Sequence, residues 1–86
     1  MKSIFITGGA GFIGSHICEE VFNTFKNHRI IIFDKLTYAG NKFYIKDLLK
    51  SSRVKFVKGD INNYNSYQKL LKTTDLAINL AAETHV

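Results

Sequence analysis

Three glycines at three-residue spacing, Gly8, Gly11 and Gly14, stand between a short apolar run and a helical hydrophobic pattern. No other feature of this 86-residue sequence restricts its fold so tightly. A G-x-x-G-x-x-G segment that leaves a strand and enters a helix answers three physical demands. The turn needs a residue free to take an unusual φ. The backbone must approach a pyrophosphate with no Cβ in the way, and the helix must pack closely on the strand. The helix N-terminus then offers unpaired N–H groups and partial positive charge to the phosphates. The glycine pattern gains its weight from the strand before it and the helix after it.

Four apolar runs recur, at residues 4–7, 30–34, 54–57 and 76–80, each rich in β-branched or aromatic side chains. Continuous runs of this kind suit a parallel sheet covered on both faces. Between the first two, Ile13, Ile17, Val21 and Phe25 recur at four-residue steps, with Cys18 and Phe22 alongside. This spacing predicts one helix with one buried stripe, ending near Asn27 and His28. Residues 43–49 predict a short helix with Ile45, Leu48 and Leu49 on one face. Residues 67–71 predict another, capped by Ser66. Strands alternating with helices give a parallel sheet with right-handed crossovers. The expected fold is therefore an α/β, Rossmann-type doubly wound parallel sheet of about four strands, with residues 1–86 forming the N-terminal portion of such a domain.

Composition narrows the function by exclusion. The net charge is +5, but the twelve Lys and Arg residues are scattered rather than clustered with aromatics, so a nucleic-acid surface is not expected. A general attraction for phosphate-bearing ligands is the fairer reading. No stretch approaches the roughly 20 apolar residues of a membrane helix. The run at residues 4–6 is too short for a secretory signal. One cysteine, Cys18, fits a reducing cytoplasm and reads as a small core residue. His16, expected on the wet face of the first helix, shows no metal-ligand spacing with Cys18, His28 or His85. No serine sits in a nucleophile elbow.

Three further signals fall where ligands bind in open α/β sheets, beyond the carboxyl ends of the strands. Asp34 ends the second run, twenty residues after Gly14. A carboxylate there accepts hydrogen bonds from the adenosine ribose and repels a 2′-phosphate, which favours NAD over NADP. Lys35 follows directly and could soften that repulsion. "GDI" at residues 59–61 ends the third run; Asp60 could accept from an adenine amino group while Ile61 packs on the ring. "LAAETH" at residues 80–85 ends the fourth, where small Ala81 and Ala82 let backbone lie against a cofactor and Glu83, Thr84 and His85 offer polar groups to a substrate.

Taken together, "TGGAGFIG", the acidic strand end and "NLAAETHV" resemble the extended short-chain dehydrogenase/reductase superfamily. "DKLTYAGN" at residues 34–41, "FVKGDI" at 56–61 and "AAETHV" at 81–86 resemble the dTDP-glucose 4,6-dehydratases within it. The resemblance covers essentially the whole chain. It implies that Gly8, Gly11, Phe12, Ile13 and Gly14 line the pyrophosphate turn, and that Asp34, Lys35, Leu36 and Thr37 surround the adenosine ribose. Asp60 and Ile61 would hold adenine, and Leu80, Ala81, Ala82, Glu83 and Thr84 would run beside the nicotinamide half. Thr84, where the family more often has Ser, would also touch the sugar nucleotide.

The chemistry implied is oxidation at C4 of dTDP-glucose, loss of water across C5 and C6, and return of the hydride to C6. A Tyr-x-x-x-Lys base and an Asp–Glu pair serve that chemistry in the family. The resemblance places both beyond this chain: Tyr38, Tyr44, Tyr64 and Tyr67 lie in the wrong region, and none is expected to have Lys four residues on, so no catalytic residue is assigned here, and residues 1–86 alone are expected to be inactive. A full-length form is expected to be a cytoplasmic homodimer. Two other readings compete: a UDP-sugar epimerase or decarboxylase of the same superfamily, against which "DKLTYAGN" argues, and a truncated, inactive remnant.

Overall fold

The computed structural model describes residues 2–35 and 42–80. Strands β1 (Ser3–Thr7), β2 (Arg29–Asp34), β3 (Val54–Lys58) and β4 (Leu76–Asn79) alternate with helix α1 (Phe12–Thr24), two 3-10 turns (Phe43–Ile45 and Leu48–Lys50), a third (Tyr64–Ser66), and helix α2 (Gln68–Lys72). The four strands form one parallel sheet in the order β3-β2-β1-β4. The chain moves outward from β1 through β2 to β3, then returns to the other side of β1 with β4. This reversal puts a switch point between β1 and β4, the place where open α/β sheets bind ligands.

Both faces are covered over the two central strands, β1 and β2, as continuous apolar runs require, whereas β3 is only partly buried and β4, expected as a buried strand, is largely exposed, with Leu76 at 45%. Alternation along β1 and β2 separates two cores. Ile4, Ile6, Ile30 and Ile32 face α1, packing with Ala10, Cys18 and Val21 and with Ile45 from the first 3-10 turn. Phe5, Ile31 and Phe33 face the other way, against Tyr67, Leu70 and Leu71 around α2. Helices on opposite faces, before and after the reversal, make the sheet doubly wound. The expected α/β fold and all four strands are present.

Local details differ from the sequence reading. Ile13 is 73% exposed and lies outside the buried stripe of α1. The buried line runs through Gly14, Cys18 and Val21, with Ser15 also buried. Gly14 occupies the contact because the helix begins directly on the preceding turn, which leaves no room there for a side chain; Ile13, about 100° around the helix from it, points away. The helix also ends at Thr24, with Phe25 as its C-cap, short of Asn27. Arg53 closes this end: its guanidinium donates to the carbonyls of Phe22, Phe25 and His28 at 2.6, 2.9 and 3.0 Å and stacks on the Phe22 ring.

Residues 43–49 form two 3-10 turns rather than one helix. A segment this short gains too few i→i−4 bonds to offset nucleation. Ile45, Leu48 and Leu49 still share the face packed on the core. Ser66 does not cap α2. It lies in the third 3-10 turn, where its hydroxyl donates back to the Asn63 carbonyl, and Tyr67 takes the N-cap position without a side-chain bond.

Candidate nucleotide-binding site

The turn between β1 and α1 is fixed from three sides. Gly8 takes φ of 75°, a left-handed conformation that disfavours any side chain, and its N–H donates to the Phe33 carbonyl at 2.8 Å. A Cβ at Gly14 would collide with the Gly8 carbonyl oxygen, so the first turn of α1 lies on the glycine turn itself. Gly11, the N-cap, has φ of −74° and ψ of 173°, which any residue can adopt. Its glycine is thus not demanded by backbone strain. It leaves the helix N-terminus without a side-chain cap, and the first turn carries no acidic residue. The first N–H groups and the positive end of a 13-residue helix therefore have no capping side chain at the N-cap and no acid in the helix's own first turn. These features fit a pyrophosphate group. Phe12, at 59% exposure, and Ile13 flank this opening from outside the core.

Asp34 closes the turn from the neighbouring strand. The residue is 5% exposed, and its Oδ2 accepts a hydrogen bond from the Ala10 N–H at 2.9 Å. Its carbonyl accepts from Gly59 N–H at 3.0 Å, which ties the exits of β2 and β3 together. The acidic side chain therefore stands at the tip of β2 with one oxygen engaged by the glycine turn.

Asp60 and Ile61 sit at the exit of β3. Asp60 Oδ1 accepts from the Asn62 N–H at 2.9 Å, and its Oδ2 lies 3.2 Å from Lys35 Nζ. The Asn62 amide, with Lys35 second, holds the Asp60 carboxyl below the ordinary carboxylate range. Tyr67 fixes the next residue: its hydroxyl donates to the Ile61 carbonyl at 2.7 Å while its ring contacts Phe5 and Phe33. Leu80 leaves β4 with its N–H on the Thr7 carbonyl at 2.8 Å, and the Thr7 hydroxyl donates to Asn79 Oδ1. Gly8, Gly11, Gly14, Asp34, Lys35, Asp60, Ile61 and Leu80 thus gather along the carboxyl edge of the sheet. Leu36, Thr37, Ala81, Ala82, Glu83 and Thr84 lie outside the described residues.

Two contributors were missed in the sequence. Gly9 is as constrained as its neighbours, since a Cβ there would meet Cys18 Sγ at 2.6 Å and Ile32 Cγ2 at 2.9 Å; the doubled glycine was its only signal. Tyr67 was read as a helix start, and nothing local marks its reach to Ile61. Tyr38 and Lys42 also stand at Tyr-x-x-x-Lys spacing, which overturns the expectation that no tyrosine of this chain has Lys four residues on. That spacing brings two side chains together on a helix. Lys42 instead precedes a 3-10 turn with its ammonium 5.2 Å from the Phe56 ring centroid, and Tyr38 lies outside the described residues. Among the described residues no three His, Cys, Asp or Glu side chains cluster as metal ligands, and no helix is long and apolar enough to cross a membrane.

Comparison with known proteins agrees with this geometry. A dTDP-D-glucose 4,6-dehydratase of Dictyostelium discoideum is 42% identical over 100% of this chain and 20% of its own length. A trifunctional UDP-glucose 4,6-dehydratase/3,5-epimerase/reductase of Arabidopsis thaliana is 39% identical over 99% of this chain and 13% of its own. The crystal structure of dTDP-glucose 4,6-dehydratase from Bacillus anthracis, in complex with NAD, superposes with a TM-score of 0.85 at 38% identity, over 96% of this chain and 27% of that one. The chain therefore spans about a quarter or less of the length of these relatives. The family model described as GDP-mannose 4,6 dehydratase matches residues 5–86. With that match over nearly its whole length, the chain belongs to the GDP-mannose 4,6 dehydratase family.

Proposed function

We propose that this chain binds NAD and forms the nucleotide-binding portion of an enzyme that converts dTDP-glucose to dTDP-4-dehydro-6-deoxyglucose and water. The observation that carries the reading is the Asp34–Ala10 hydrogen bond, which joins the acidic tip of β2 to the glycine turn at the mouth of α1. One element would supply phosphate contacts and the other a ribose acceptor. The NAD-bound Bacillus anthracis relative and the family match support the assignment.

Each group then has a stated task. Gly8, Gly11 and Gly14 keep the turn free of Cβ atoms, and the N-terminus of α1 meets the pyrophosphate. Phe12 and Ile13 shield it from the solvent side. Asp34 accepts from the ribose hydroxyls; Leu36 and Thr37 complete that surround, with the Lys35 stem beside it and its ammonium turned to Asp60. Asp60 accepts from the adenine amino group, and Ile61 covers the ring. Leu80, Ala81, Ala82, Glu83 and Thr84 extend toward the nicotinamide half, with Thr84 reaching the sugar nucleotide. Bound NAD supplies a hydride acceptor that is regenerated within one turnover. The proton-transfer groups for the sugar are placed outside residues 1–86.

A chimera tests the reading. Residues 2–80 replace the matching segment of the Bacillus anthracis enzyme, and the product is assayed for NAD content and for 4-keto sugar formation from dTDP-glucose. Retained NAD with turnover supports it. A folded chimera that retains no NAD removes the cofactor assignment, and one that retains NAD without turnover removes the dehydratase assignment.

A further inference from the structure

Lys35 follows Asp34 at the exit of β2, yet its ammonium is committed elsewhere: Nζ lies 3.2 Å from Asp60 Oδ2 on the neighbouring strand exit. The two partners differ in freedom. Asp60 sits on an anchored turn, with its carboxylate on the Asn62 N–H, its carbonyl accepting from the Asn63 N–H at 2.9 Å, and Ile61 beside it held by Tyr67. Lys35 carries a compact charge on a flexible four-carbon stem. The anion therefore sets where the cation goes.

NAD and NADP differ by one phosphate on the adenosine ribose. A site that admits the phosphate needs a cation beside the acid that would otherwise repel it. Lys35 is the cation directly after Asp34, and Lys58, paired in register with Asp34 across β2 and β3, is a second at the same edge. We propose that the Lys35–Asp60 ion pair determines dinucleotide choice: Asp60 draws Lys35 to the β3 side, so that the cation next to Asp34 does not serve a 2′-phosphate. This rests on the proposed placement of the ribose at Asp34. It assigns Asp60 a task distinct from any contact with adenine, and makes Lys35 the residue through which it acts.

The test is a double-mutant cycle read by calorimetric titration of NAD and of NADP into the purified wild type, D60N, K35M and the double variant. Asn at position 60 retains an acceptor for the Asn62 N–H, and circular dichroism checks that each variant folds. D60N should raise the affinity for NADP relative to NAD about three- to fivefold at low salt. The gain should shrink as salt is added. K35M should leave the wild-type ratio within about twofold, and the double variant should return to it. A gain that persists in the double variant would come from the lost Asp60 charge or from Lys58, and would overturn the proposal, as would an unchanged ratio in D60N. A folded wild type that binds neither dinucleotide would instead overturn the nucleotide-site reading beneath it.

Discussion

Replacing Asp34 by Ala separates the bond that its carboxylate makes to Ala10 from the ribose contact proposed for it. The first is internal. Ala10 is fully buried, and its N–H has the Asp34 carboxylate as acceptor at 2.9 Å. Losing a hydrogen bond to a charged acceptor costs about 1.5–3 kcal/mol. At about 4–8 °C per kcal/mol for a domain of this size, the melting temperature should fall by at least about 6 °C. The second task is toward ligand. The ribose hydroxyls lose a charged acceptor of similar worth, so NAD affinity should drop about tenfold or more. Asn at the same position keeps an oxygen for Ala10 and should recover most of the stability with little of the affinity. Titration of ADP and 2′,3′-dideoxy-ADP resolves the two tasks. The wild type should distinguish them, and the Ala variant should not. If NAD binds wild type and variant with equal dissociation constants, Asp34 is not in the site. If both ADP forms weaken equally, Asp34 acts through the turn alone.

Gly11→Val should abolish NAD retention while circular dichroism shows an intact fold, because the Gly11 backbone is extended and accepts a side chain that the pyrophosphate cannot; stoichiometric NAD in the purified variant would refute this. Arg53→Met keeps the stem over Phe22 but removes three carbonyl bonds, and should lower stability by about 1.5–3 kcal/mol in urea unfolding without changing NAD affinity. Cys18 should resist alkylation by iodoacetamide at pH 8 until denaturant is added, since burial, with the Asp34 charge second, pushes its thiol up to about 12. The folded pKa is raised above the ordinary 9.0, so this contribution to stability is full below pH 9 and lost as pH rises toward 12; Cys18→Ala should remove that part of the pH dependence.

The central strands were legible because β1 and β2 are near-continuous runs of β-branched or aromatic residues, which a sheet covered on both faces buries; β3 and β4, with Lys55 and Ala77 in their runs, are less buried than the pattern suggested. The glycine turn was legible because its three constraints fall on fixed spacing. The register of α1 was not. Periodicity counts apolar side chains, whereas the centre of this contact is Gly14, which has none, so the pattern placed Ile13 inside when it stands 73% exposed. The polar contacts of the site were illegible for another reason. Ala10, Asp34 and Asp60 are far apart in sequence, and nothing local to any of them marks the others. They meet because β2 lies between β1 and β3, which sets the exits of all three strands side by side. Asp34 could be assigned to a ribose from its distance to Gly14, but its bond to Ala10 depends on strand order. So does the Lys35–Asp60 pair: the same two residues, on strands paired otherwise, would leave Lys35 free beside Asp34 and the cofactor preference open. On the proposed reading, the motif sets which groups a nucleotide meets, and the sheet order sets which of those groups are already engaged when it arrives.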